Sequence, residues 1–166
     1  MKRIYFDASA YTKVFTEETG SDNAKRLFEL AYKNHVKIVL SVWTINESIA
    51  AIDKKCHQKK MMSQELCRKI IAATFRQIKE FSERTSRNIV FAQLEKDIIN
   101  DSNVLIAILH ISADDALHVT TACYYGCDYF ICKDSSLKEK VDNKVNNLRI
   151  LDITNEQEID SLIDRL

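Results

Sequence analysis

The stretch Arg3-Ile4-Tyr5-Phe6-Asp7-Ala8-Ser9 constrains the chain more than any other. Ile4, Tyr5 and Phe6 are consecutive strand formers, enough for a short strand buried on both faces. The run stops at a carboxylate, Asp7, with Ser9 two residues on and the helical-looking Tyr11-Thr12-Lys13-Val14-Phe15 behind it. Open α/β sheets carry out their ligand chemistry at this place, the carboxyl end of a buried strand before a helix. Taken alone, Asp7 is more simply a helix cap. Its meaning depends on what else the chain brings to the same edge.

The same strand-then-helix phrase recurs. Lys37-Ile38-Val39-Leu40-Ser41 is a second short strand, followed by a helix over roughly 44–54 with Glu47 early in it. Asn88-Ile89-Val90-Phe91 is a third strand, Tyr129-Phe130-Ile131-Cys132 a fourth that runs into Lys133-Asp134, and Leu148-Arg149-Ile150-Leu151 a fifth. Ser21 reads as the N-cap of the helix carrying Ala24, Leu27, Phe28 and Ala31, and Ser112 as the N-cap of a helix opening on Asp114-Asp115 and closed by Gly126. A helix is expected over 101–111, a short one over 137–141, and an amphipathic acidic tail over 155–166. From Ser63 a long helix is expected to turn Leu66, Ile70, Ala73, Ile78 and Phe81 inward. Alternating elements of this kind give an α/β fold, three layers α/β/α around a central, mainly parallel sheet. The whole of 1–166 reads as one domain. Right-handed crossovers place the first strand beside the one ending at Asp134, so Asp7 and Asp134 share an edge at the switch point.

Composition removes several function classes. Two glycines and no proline leave no Gly-rich phosphate cradle, so P-loop and dinucleotide-binding readings fall. Five cysteines form no Cys-x-x-Cys pair; they read as reduced, mostly buried thiols of a cytoplasmic protein. No apolar run approaches a membrane span. The net charge of +0 offers no global pull on nucleic acid, so any basic surface is local. Such a surface exists: between Lys54 and Arg87 ten basic residues face three acids. It suits RNA phosphates, with protein docking beside Leu66, Ile70 and Phe75 as the competing use.

Asp7, Glu47, Asp114-Asp115 and Asp134 all fall at the carboxyl side of the expected sheet. Carboxylates gathered in one cleft repel, so some protonate or a divalent cation neutralises them. Oxygen ligands suit Mg²⁺ or Mn²⁺. Beside a basic surface, that is the equipment of metal-dependent phosphodiester hydrolysis.

Four segments carry a resemblance: Ile-Tyr-Phe-Asp-Ala-Ser (4–9), Ile-Asn-Glu (45–47), Asp-Asp-Ala-Leu-His-Val-Thr-Thr-Ala (114–122) and Phe-Ile-Cys-Lys-Asp (130–134). Together they resemble a PIN domain of the VapC-like toxin type, over the chain up to about residue 152. The resemblance implies an acidic quartet of Asp7, Glu47, Asp115 and Asp134 that is both catalytic and metal-binding, with Asp115 preferred to Asp114 because it directly precedes Ala-Leu-His. Ser9 matches the family's small hydroxyl, and the long basic stretch after Glu47 lies where the family varies. Implied with it are a Mg²⁺- or Mn²⁺-dependent ribonuclease, an RNA substrate, a cognate antitoxin protein and a homodimer.

Other residues carry plainer readings. His118, one turn past Asp115, is more often a core or supporting histidine; Lys133 is an exposed strand-end lysine within reach of a phosphate; Trp43 is more simply half-buried than a base-stacking platform. A dehalogenase-type phosphatase wants a carboxylate where Ser9 stands, and a receiver domain wants an acidic pair where Lys2-Arg3 stands. A non-catalytic PIN-like module that binds RNA or protein is the alternative to the nuclease.

Overall fold

The computed structural model describes residues 1–58, 63–83, 88–145 and 147–166, with side chains between Gln77 and Glu83 and that of Gln58 set aside. Five strands, β1 (Arg3–Phe6), β2 (Lys37–Ser41), β3 (Ile89–Ala92), β4 (Tyr129–Cys132) and β5 (Arg149–Asp152), form one sheet in the order β3-β2-β1-β4-β5. Every pairing is parallel. The winding direction reverses between β1 and β4, where Phe6 pairs with Ile131, so the expected neighbours are neighbours. The fold is the anticipated three-layer α/β/α.

Pleating divides the core. Ile4, Phe6, Ile38, Leu40 and Ile131 point to one face, against α1 (Ala8–Tyr11), α2 (Ser21–Tyr32) and α8 (Glu156–Ile163). Tyr5, Val39, Phe130 and Cys132 point to the other, against α6 (Ala113–Tyr124) and α7 (Ser135–Val141), with α5 (Lys96–Leu109) packed outside them. Burial on both faces explains why the strands read as unbroken apolar runs. Two more helices complete the described residues: α3 (Val42–Asp53), which a π-helical turn (Lys54–Gln58) extends, and α4 (Gln64–Glu83).

Several expectations shift at element ends. Gly20, not Ser21, is the N-cap of α2; at φ +89° it occupies a left-handed conformation, and a Cβ there would lie 2.8 Å from the Ile153 carbonyl oxygen. Ser21 begins the helix, and its hydroxyl accepts from the Glu18 N–H. Helix α5 starts at Lys96, five residues before the expected 101, because the polar Lys96-Asp97 turn is helical ahead of the apolar periodicity. In α4, Ile70 is buried but Leu66 is exposed, contrary to expectation; Ile78 and Phe81 lie outside the described side chains. No single helix among the described residues is long and apolar enough to cross a membrane.

Candidate active site

The cleft aspartates are aimed by the ends of elements. Asp7 follows β1 and caps α1, Oδ1 accepting the Ala10 N–H at 2.8 Å. Asp134 follows β4 and caps α7 by accepting the Leu137 N–H at 3.0 Å. Asp114 and Asp115 lie in the first turn of α6, where Ser112 Oγ accepts the Asp115 N–H and donates to Asp115 Oδ2 at 2.6 Å. Glu47 lies in the second turn of α3, capped by Ser41. Capping and carboxylate placement are therefore one feature here, and the positive ends of helix dipoles offset part of the repulsion between the acids.

The elements bring these residues to one cleft of about 490 Å³, lined by Asp7, Ser9, Glu47, Asp114, Asp115, His118, Lys133 and Asp134. All eight residues singled out as site candidates lie on it. Both Asp114 and Asp115 face the cleft, so the choice between them rests on the resemblance alone.

Two hydrogen-bonded arrays hold the acids. In the first, the Ser9 hydroxyl donates to the Asp7 carboxylate (2.8 and 2.9 Å to its two oxygens) and accepts the Lys133 N–H at 2.8 Å, tying the end of β1 to the end of β4. In the second, His118 Nε2 lies 2.5 Å from Glu47 Oε2, and Nδ1 shares a 2.8 Å hydrogen bond with the Tyr5 hydroxyl. Tyr5 donates in turn to Ser41 Oγ at 2.9 Å, in a fully buried pocket with Thr44. His118 is thus buried, held between the Tyr5 hydroxyl and the Glu47 carboxylate.

Burial pushes the Asp7 carboxyl up to about 6; the Glu47 charge adds to this, and His118, the Ala10 N–H and Ser9 work against it. A carboxylate so placed gains from a nearby cation. Oxygens of Glu47, Asp114, Asp115 and Asp134 line the same cleft, a set suited to a hard divalent ion.

A basic wall faces this acidic floor, and sequence reasoning missed its most buried member, Lys13, with the partner Glu18. Lys13, on the 3-10 turn Thr12–Val14 after α1, is 2 % exposed, and its Nζ lies 3.2 Å from Glu18 Oε2. Glu18 also accepts from Lys55 and from the Thr16 hydroxyl. Although burial opposes it, those hydrogen bonds hold the Glu18 carboxyl down at about 2. Burial lowers the Lys13 ammonium, with Lys133 and Lys55 adding to the effect and Glu18 resisting it. Lys13, Lys55 and Lys133 all line the cleft. The available signal was spacing: Lys13 stands four residues after Ser9, one helical turn along the same face.

The basic stretch is only partly in view. Lys59, Lys60, Arg84 and Arg87, and the side chain of Lys79, lie outside the described residues. Lys55 turns into the cleft, whereas Arg68, Lys69 and Arg76 are exposed on α4. Trp43 is half-buried, its indole N–H without a hydrogen-bond partner.

No protein-family model matches the sequence, and no curated protein matches it significantly. Solved structures do match. The VapC20 toxin of Mycobacterium tuberculosis, described as cleaving the sarcin–ricin loop, superposes with a TM-score of 0.61 at 14% identity, over 86% of this chain and 98% of that one. A chain of the VapBC2 complex of Rickettsia felis, solved with a promoter DNA fragment, gives 0.59 at 13% identity over 90% and 98%. PAE2754 of Pyrobaculum aerophilum gives 0.58 at 18% identity over 98% and 96%. The fold is that of the VapC-like PIN domains.

Proposed function

We propose that this chain, which shares its fold with the VapC toxins, is a divalent-metal-dependent endoribonuclease, the toxin half of a toxin–antitoxin pair. One observation carries the reading. Carboxylates separated by up to 127 positions (134 − 7) line a single cleft at the carboxyl mouth of the sheet, facing a wall of lysines. That is the charge pattern a phosphodiester requires: cations for the phosphates beside the bond, acids to hold a metal at the bond itself.

Asp7 and Asp115 are the direct ligands of a Mg²⁺ or Mn²⁺ ion in this reading, with Glu47 and Asp134 closing the site. When bound, the ion lowers the pKa of a coordinated water and neutralises charge building on the phosphoryl oxygens. The protein's own groups do the rest. Ser9 fixes the Asp7 carboxylate by hydrogen bonding. His118, anchored on Tyr5, fixes Glu47. Lys13, Lys55 and Lys133 seat the flanking phosphates, and the resemblance to the PIN-domain toxins implies single-stranded or loop RNA as the substrate. A cognate antitoxin would act by covering this cleft, and a second copy of the chain is a further candidate partner.

The test is cleavage of a single-stranded RNA by the purified chain with Mn²⁺ or Mg²⁺. Activity should vanish with chelator and in Asp7→Asn, and co-expression with the product of the neighbouring reading frame should relieve growth arrest. An Asp7→Asn protein that cuts at the parent rate sinks the assignment. Metal-independent RNA binding without cleavage by the parent would instead establish the non-catalytic module.

A further inference from the structure

A second cluster of ligating side chains lies outside the acidic cleft, where the π-helical turn after α3 meets the start of α4. Ligand atoms of Cys56, His57 and Cys67 all lie within 4.8 Å of one another. The two thiols are buried, at 4 % and 2 % exposure, in a small apolar cluster with Ile52 and Ile70. His57 is 53 % exposed and closes the cluster on its solvent side. Asp53 Oδ1 lies 3.4 Å from His57 Nε2, placed either to orient the imidazole or to supply an oxygen ligand.

We propose that Cys56, His57 and Cys67, backed by Asp53, form a structural site for a zinc-class ion that clamps the end of α3 onto α4. Two thiolates and an imidazole are three of the four donors of a tetrahedral zinc site, with the Asp53 carboxylate or a water for the fourth, and ligand atoms in such a site stand about 3.5–3.8 Å apart given the usual zinc–sulfur and zinc–nitrogen bond lengths. Rotamer adjustments of about 1 Å bring the three within that range. Simple packing accounts for two buried thiols; it does not account for an imidazole set beside both sulfurs with a carboxylate behind it. The π-turn itself is the kind of helix irregularity often found at functional sites. Soft sulfur ligands separate this site from the oxygen-lined cleft, which favours Mg²⁺ or Mn²⁺. The ligands come from two helices, Cys67 standing ten residues after His57, so no Cys-x-x-Cys signature announces them.

Lys55 lies inside the clamped turn and reaches the cleft through its ion pair with Glu18. Metal at the thiol site therefore fixes one phosphate-binding lysine of the cleft in place, without touching the acids.

The test uses the full chain, purified under reducing conditions and held in excess Mg²⁺ to occupy the acidic cleft. Titration with Co²⁺ should produce a thiolate-to-cobalt charge-transfer band saturating at one equivalent and abolished by one equivalent of Zn²⁺. Asp7→Asn should titrate identically, which keeps this result separate from the fate of the nuclease reading. Cys56→Ser/Cys67→Ser should lose the band. Should that double variant not fold, the exposed His57 decides: His57→Ala should bind Zn²⁺ at least about tenfold more weakly in a chelator competition, and His57→Cys should restore tight binding. Absence of the cobalt band in the parent, a Cys56–Cys67 disulfide formed in its place, or unchanged zinc affinity in His57→Ala would overturn the proposal.

Discussion

At the mouth of the sheet, each aspartate stands at an element end, and Glu47 in the second turn of a capped helix, fixed by a parallel strand buried on both faces or by a helix packed on that sheet. Asp7 and Asp134 cannot move without moving β1 and β4, whose apolar residues Ile4, Tyr5 and Phe6 and Tyr129–Cys132 are all buried. The α4 region is built differently. Among its described side chains only Cys67, Ile70 and Thr74 are buried, while Leu66, Phe75, Arg68, Lys69 and Arg76 face outward. The first region is positioned by the fold; the second is attached to it. Chemistry that tolerates no misplacement belongs in the first, and contacts worth a few tenths of a kcal/mol each belong in the second.

The harshest way to break this contrast is Asp7→Asn. Loss of one ligand and one charge from the acidic floor should lower RNA cleavage about a thousandfold or more, since the metal's charge stabilisation is worth several kcal/mol and each 1.4 is a factor of ten. Stability should move the opposite way. With its carboxyl raised from about 3.8 to about 6, folded Asp7 keeps a proton between those values that the unfolded chain has shed. Stability contributed by this group therefore falls as pH rises from about 4 to 6 and stays lowered above. In the presence of chelator, Asp7→Asn should be more stable than the parent by about 1–3 kcal/mol at pH 7.5, with the gap closing near pH 4. Thermal unfolding at the two pH values checks both halves. A destabilised Asn variant at pH 7.5 would mean that the carboxylate serves the fold, not the chemistry.

His118→Leu comes next. It removes the grip on Glu47 but leaves Tyr5 its partners Ser41 and Thr44. Loss of a group that orients a metal ligand typically costs about 10–100-fold in metal affinity or activity. The half-saturating Mn²⁺ concentration should rise by that factor while the KM for RNA stays near the parent value. A change in KM alone would put His118 against the substrate instead.

These effects trace how much of the molecule the sequence made legible. The strands were readable because burial on both faces leaves Ile4-Tyr5-Phe6 and Tyr129-Phe130-Ile131-Cys132 with no polar interruption, and the pairing of β1 with β4 followed from crossover handedness. Carboxylates at strand ends inherited that legibility. Lys13 and Glu18 did not, because a lysine next to an apolar run looks solvated in sequence; only the folded chain shows it 2 % exposed on its partner. Leu66 was misread for the converse reason. A helix with one narrow contact has apolar residues left over, and periodicity does not say which of them find a neighbour. The thiol cluster escaped because its members come from two elements whose meeting no local pattern encodes.

Lys13→Met sharpens the boundary between the regions, since it alters the basic wall at its most buried point. Glu18 keeps Lys55 and Thr16, so it is not stranded, and because it is partly exposed the stability loss should stay near about 1 kcal/mol. RNA affinity should fall about tenfold, with the slope of log K against log salt reduced by about 1, the signature of one lost phosphate contact. A drop in kcat with unchanged KM would move Lys13 from holding the substrate to acting at the reacting phosphate.

The mildest change tests the attached region itself. Arg68→Gln/Lys69→Gln/Arg76→Gln removes three exposed charges, one of them a lysine already 2.8 Å from Glu65 in a solvent-exposed pair that contributes little to stability. Folding stability should change by less than about 0.5 kcal/mol. If α4 lies along the RNA, affinity at low salt should weaken about three- to tenfold and the difference should fade as salt rises, because contacts of this kind act by counterion release. If RNA binding holds at every salt concentration while the triple variant loses its hold on a partner protein, the charges beside Leu66 and Phe75 belong to a protein interface. The cleft would then bind RNA through Lys13, Lys55 and Lys133 alone, and the contrast between a positioned region and an attached one would become a division of labour between two partners.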